Sequence, residues 1–169
     1  KPTSILNYTG GDNTNILAVH SLSKRSNLAG YRAAFIVGDP ALIAQILEVR
    51  KHAGMMVPLP VQKAMIAALS DSHHVAEQRA RYNDRKSVLI PALQAAGFSI
   101  DFSDAGLYLW ATRDEDCWKS VEWLAKLGIL ATPGIFYGEN GSRHIRIAMT
   151  ATDSQIAEAA ARINEAVAA

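Results

Sequence analysis

Beyond Gly97, short apolar runs at 98–102, 107–112, 129–131 and 144–149 alternate with helix-length amphipathic stretches at about 115–127 and 153–168. Strands alternating with helices close into an α/β layer with its own core, so the second half of the chain has few other folds open to it. The last stretch opens with a capping box, Thr152 followed three residues on by Gln155. Its apolar stripe is Ile156, Ala160, Ile163 and Val167. Strand alternation puts Ile145, Ile147 and Met149 on one face and His144, Arg146 and Ala148 on the other. By the same rule Tyr108 and Trp110 share a face, and they are expected to pack against the last helix.

The first half has a different rhythm. Residues 1–15 are polar and rich in Thr, Asn and Gly, a loop composition. The run 16–20 suits a strand buried on both faces. A polar turn at 21–30 leads to a second apolar run at 32–37, which Gly38-Asp39-Pro40 ends. Helices are expected over 41–52, 61–69 and 72–96, with an extended connection holding Pro58 and Pro60. Pro91 should kink or break the long helix, and Gly97 should stop it. The expected organisation is the end of a sheet domain (1–55), connecting helices (56–96) and a small α/β domain (97–169).

Charge excludes some partners. The formal net charge is +1, and the Lys and Arg residues are spread along the chain. That leaves no electrostatic footprint for nucleic acid or an anionic membrane. The densest basic cluster, 79–86, reads as a solvated helix face. Cys117 is the only cysteine, so no intrachain disulfide forms, which suits a reducing, cytoplasmic setting. It is expected to pack in the core, and Trp118 and Trp123 to be core or interface residues. No apolar run is long enough to span a bilayer, and no signal peptide is expected. His73-His74 has no matching acid or cysteine, so no metal is expected. The first residue is Lys1, and an N-terminal portion is expected to be missing.

Chemistry concentrates at Ser21-Leu22-Ser23-Lys24, just after the first strand. Ligands of open α/β sheets bind beyond the carboxyl ends of strands. A lysine there can form a Schiff base when its surroundings lower its pKa. Ser21, Ser23 and Arg32 could donate to a nearby phosphate. Taken alone, the tetrapeptide reads more readily as a surface lysine in a serine-rich turn. Arg32, eight residues on and opening an apolar run, needs an anionic partner or solvent. Arg146 reads as a clamp for a substrate carboxylate or as a salt bridge on an exposed strand face. The loop Pro133-Gly134-Ile135-Phe136-Tyr137-Gly138 could approach a ligand closely or be only a turn. His20 could touch a cofactor or simply end its strand. Arg25 reads as a solvated or phosphate-edge charge.

Ser21-Leu22-Ser23-Lys24, Gly30-Tyr31-Arg32, Pro133-Gly134-x-Phe136-x-Gly138 and Arg146-Ile147-Ala148 come in the order and spacing of one family. In these motifs the chain resembles class I/II pyridoxal-phosphate-dependent aminotransferases of the aspartate aminotransferase fold (fold type I). The runs 21–39, 50–62 and 103–113 resemble actinobacterial N-succinyldiaminopimelate aminotransferases. The resemblance implies the end of the large domain plus the small C-terminal α/β domain. It implies pyridoxal 5′-phosphate as cofactor, amino-acid and 2-oxo-acid substrates, and a homodimer in the full-length form, with residues 54–58 near the partner's site. It implies that Lys24 holds the cofactor covalently and moves the proton at the substrate Cα. Ser21, Ser23 and Arg32 are implied at the cofactor phosphate, and Arg146 at the substrate carboxylate. The implied reaction is transamination with 2-oxoglutarate, with N-succinyl-LL-2,6-diaminopimelate of lysine biosynthesis as donor. Alternatives are another amino-acid aminotransferase, a C–S lyase on the same cofactor, or a non-catalytic fragment that mediates association. The family's aspartate at the pyridine nitrogen has no counterpart here, since Asp12 is the only acid before Lys24. The chain alone is therefore expected to be inactive.

Overall fold

A computed structural model describes residues 3–169. The chain divides into two compact units, one ending at Glu77 and one starting at Gln78. In the first unit, β1 (Leu17–Ser21) pairs antiparallel with β2 (Ala34–Gly38), with Ser21 opposite Ala34. The four-residue helix α1 (Leu22–Arg25) and a 3-10 turn at Ala29–Tyr31 connect them. α2 (Pro40–His52) and α3 (Leu59–Ser70) follow. Asp39 caps α2, accepting the backbone N–H of Ala41 at 2.7 Å, and also ties down the preceding loop through the N–H of Asn15 at 2.8 Å. Pro40 sits at N1, where its missing N–H costs nothing.

Two expectations for this unit need correction. β1 is not buried on both faces: Ala18 is buried, but Val19 is 67% exposed, because the described sheet here has only two strands. The second strand begins at Ala34, not at Arg32, because Arg32 closes the 3-10 turn in a left-handed conformation that no strand continues.

The long helix α4 (His73–Ala95) runs across the division between the units and continues through Pro91. The proline ring removes one hydrogen bond, yet Leu89, Ala92 and Leu93 around it are buried in the second unit's core. Burial on both sides of the proline holds the helix together. Gly97 then stops it at φ 85°, with Gly97 N–H donating to Gln94 O and Phe98 N–H to Leu93 O, a Schellman motif.

The second unit is built on an antiparallel sheet in the order β3 (Ser99–Asp101), β4 (Tyr108–Thr112), β6 (Ile145–Ala148), β5 (Thr132–Pro133). One face, carrying Leu109, Ala111, Ile145 and Ile147, packs into a core with α4, α5 (Cys117–Lys126) and α6 (Asp153–Ala168). Ile156, Ala160 and Ile163 of α6 belong to that core, and the Thr152–Gln155 capping box is formed. Cys117 is buried in it. Trp123 lies 6.0 Å from Phe98, whereas Trp118 is half exposed and meets Phe136 edge-on.

The other face carries Tyr108, Trp110, His144 and Arg146. Tyr108 and Trp110 thus point away from the helices, and their expected contact with the last helix is not made. The expected strand at 129–131 lies instead at Thr132–Pro133. Ile129 N–H is already committed to Leu124 O in a second Schellman motif at Gly128, and Leu130 is 92% exposed.

Candidate active site

The register of the β1–β2 hairpin gathers four of the expected residues at one end of the two-stranded sheet. Ser21 ends β1 opposite the first residue of β2, and everything between them, including Ser23, Lys24 and Arg32, lies in the connection. Fully buried Leu22 anchors that connection, and its N–H donates to Ala33 O. Ser21 is the N-cap of α1: its Oγ accepts the N–H of Ser23 at 3.2 Å, which leaves its own O–H free to donate. Lys24 is exposed and has no hydrogen bond or ion pair among the described residues.

Arg32 has φ 50° and ψ 44°, and its Nη1 donates to Ala29 O at 3.1 Å. The rest of its fork faces solvent. Two hydroxyls, an unpaired amine and an arginine fork form a donor set that fits a phosphate-bearing aldehyde.

The neighbours of this connection have structural partners. Arg25 is half-buried, and its Nη1 donates to Ala68 O at 3.0 Å and Ser26 Oγ at 3.1 Å, tying α1 to the end of α3. Ser26 also meets His74 Nε2 at 3.0 Å, and the other nitrogen of that ring lies 2.8 Å from Asp71. That contact, helped by the N–H of His73, holds the Asp71 carboxyl below its usual range. His20 stacks on Phe35 at 5.3 Å.

Arg146 belongs to the second unit. It stands on β6 opposite Trp110 of β4. Its Cζ lies 4.2 Å from the ring centroid of Tyr108 and 5.2 Å from that of Tyr137. Its Nε is buried with no hydrogen-bond partner. A cavity of about 370 Å³ opens beside it, walled by Phe102, Leu107, Tyr108, Trp110 and Tyr137. Arg146 is the one charged residue in that lining. A cation in an aromatic cavity without an acid is an anion site in search of a carboxylate. Of the two sequence readings, the salt bridge on an exposed face is not formed among the described residues.

The glycine loop carries Tyr137 to this place. Gly134 N–H donates to His144 O at 2.8 Å. A Cβ on Gly134 would collide with the carbonyl oxygens of Gly141 and His144 and with the Trp110 ring. The close approach that its glycine permits is therefore to the protein itself. Gly138 takes φ 115°, open to glycine alone.

Residues 2–163 match the family described as aminotransferase class I and II. The chain belongs to this family. It is 58% identical over 165 residues to a probable aminotransferase of Mycobacterium tuberculosis, covering 96% of this chain and 40% of that protein. It is 59% identical over 165 residues to the 4-dedimethylamino-4-oxo-anhydrotetracycline transaminase OxyQ of Streptomyces rimosus, covering 96% and 46%. The LL-diaminopimelate aminotransferase of Maridesulfovibrio salexigens is 34% identical over 170 residues, covering 98% and 43%. In three dimensions the chain superposes on an aminotransferase from Neisseria meningitidis with a TM-score of 0.88 at 32% identity, covering 99% of this chain and 45% of that one.

The aminotransferase chain thus has the aspartate aminotransferase fold, fold type I, and spans less than half the length of these relatives. Pyridoxal phosphate is the cofactor of this family. Sequence reasoning missed Tyr137 and Asp101 as neighbours of the Arg146 face. Asp101 is placed there by the register across β3, β4 and β6, and Tyr137 by the 3-10 turn at Gly134–Tyr137, which no strand period reveals.

Proposed function

We propose that this aminotransferase chain carries the lysine and the two arginine grips of a pyridoxal-phosphate-dependent transamination between an amino acid and 2-oxoglutarate. The observation that carries the reading is the gathering of Ser21, Ser23, unpaired Lys24 and Arg32 at one end of the β1–β2 hairpin. Ser21, Ser23 and Arg32 bind the cofactor phosphate, and Arg32 supplies the charge. Lys24 is the covalent anchor of the cofactor. Released by the incoming amine, its Nζ takes the proton from the substrate Cα and returns it one position away, as a single general base. The bound cofactor supplies the electron sink for the charge left at Cα. Arg146 grips the α-carboxylate and so orients the substrate.

Residues 1–55 are assigned to the end of the large cofactor-binding domain, 56–96 to connecting helices and 97–169 to the small domain. The enzyme is proposed to act as a cytoplasmic homodimer. The substrate assignment is N-succinyl-LL-2,6-diaminopimelate in lysine biosynthesis, supported by the 34% identity to a diaminopimelate aminotransferase. A second reading, a ketone on a polycyclic scaffold, draws on the 59% identity to the Streptomyces transaminase.

Borohydride reduction of the intact protein in pyridoxal phosphate, followed by peptide mapping, tests the core of this proposal. A single phosphopyridoxyl adduct on Lys24, absent in Lys24→Ala, is expected; an adduct elsewhere would sink it. Product analysis across amino donors separates the readings. A keto acid with the aminated cofactor means transamination, ammonia with pyruvate means a C–S lyase, and no turnover with any donor favours a purely associative role.

A further inference from the structure

We propose that Tyr108 and Tyr137 are positioning residues for Arg146, their rings holding the guanidinium in the orientation that receives a substrate carboxylate. This rests on the reading of Arg146 as the carboxylate grip. A half-buried guanidinium is ordinarily fixed by an acid or a carbonyl. Arg146 has neither among the described residues, and its Nε is buried without a partner. What touches it is aromatic: the Tyr108 centroid lies 4.2 Å from Cζ and the Tyr137 centroid 5.2 Å. Ring quadrupoles attract a cation without occupying its N–H donors. An acid in the same place would neutralise the charge and fill the fork. Two aromatic faces fix the direction of the group and leave its hydrogen-bonding edge for the ligand.

The rings are held in turn. Tyr137 meets Trp110 edge-on at 5.9 Å, and Trp110 stacks on His144 at 5.1 Å with 9° between the planes. His144 Nε2 lies 3.0 Å from Asp101 Oδ2. A continuous line of contacts therefore runs from β3 through β6 and β4 to the glycine loop and ends at the cation. Tyr108 comes from β4 itself, two residues before Trp110 on the same face.

The test compares the binding of 3-phenylpropionate and its amide to the cofactor-loaded intact protein. The preference for acid over amide reads the Arg146 grip. Tyr108→Leu and Tyr137→Leu are each expected to lower the preference for acid over amide about tenfold, whatever they do to the binding both probes share through the cavity wall. Phe at either position should bind the acid within about threefold of wild type, because it keeps the ring face. Pentafluorophenylalanine keeps the shape but reverses the charge of the face, and should again lose about tenfold. This fluorinated pair keeps the test valid if the leucine variants fail to fold. In an Arg146→Leu background the tyrosine changes should make no further difference to the preference for acid over amide.

Failure has two distinguishable forms. If Arg146→Leu keeps the acid preference, the carboxylate grip itself is wrong and this inference falls with it. If Arg146→Leu loses the preference while Phe and pentafluorophenylalanine bind the acid alike, the grip stands and the rings only pack.

Discussion

Arg32 holds φ 50° and ψ 44°, a left-handed conformation that costs a residue bearing a Cβ about 1 kcal/mol. Glycine would occupy it without that cost. A side chain kept at a strained position needs a return, and the proposed return is the phosphate. Arg32→Gly is therefore expected to leave stability unchanged or raise it by up to about 1 kcal/mol. The same change should weaken pyridoxal phosphate about tenfold or more, the loss of a charge-assisted hydrogen bond. Denaturant unfolding and cofactor titration of one variant check both halves. Unchanged cofactor affinity would remove Arg32 from the phosphate site. The sequence made Lys24 and its serines legible because their chemistry lies in contiguous residues. It misjudged the backbone of Arg32, because the closure of the turn onto Ala29 selects that conformation.

The glycine loop shows the same limit at the level of the element. From sequence, Gly134 served either a ligand or a turn. In the structure it lets backbone meet backbone, with Gly141 and His144 as the neighbours. Gly134→Ala is thus expected to destabilise the second unit by about 1–3 kcal/mol, the usual cost of overpacking. Because the loop carries Tyr137, the variant should also weaken the acid preference read at Arg146. Thermal unfolding with the acid and amide probes measures both, and an alanine tolerated without change in either would mean that the loop has slack. Alternation in β6 correctly divided Ile145 and Ile147 from His144 and Arg146. In β4 the period was right, but the side on which the helices lie is a tertiary choice. Fully buried Leu109 and Ala111 took the helix side.

At the scale of the whole molecule, acid sensitivity is distributed over both units. In the first, the N–H of Asn15 and then that of Ala41 hold the Asp39 carboxyl below its usual range. In the second, burial raises Glu115, but the Ser120 hydroxyl and the Arg113 guanidinium outweigh it and leave the carboxyl lowered. Both contacts are short and meet at one carboxylate oxygen, Glu115 Oε1: Ser120 Oγ donates to it at 2.8 Å and Arg113 Nη2 lies 2.6 Å away. A carboxyl that is lowered on folding binds fewer protons in the folded chain than in the unfolded one. Its contribution is present in full above the unfolded value, near pH 4, and disappears as the pH falls through the lower folded value. Asp39→Asn and Glu115→Gln should each reduce stability at neutral pH, and each difference from wild type should shrink as the solution is acidified. The two residues share no partner, so the double variant should show the sum of the single effects. Unfolding followed from pH 7 to about pH 2.5 in all four proteins decides it. A difference that stays constant over that range would mean that the carboxylate charge is not what these contacts stabilise, and that the side chains act through shape and neutral hydrogen bonding alone.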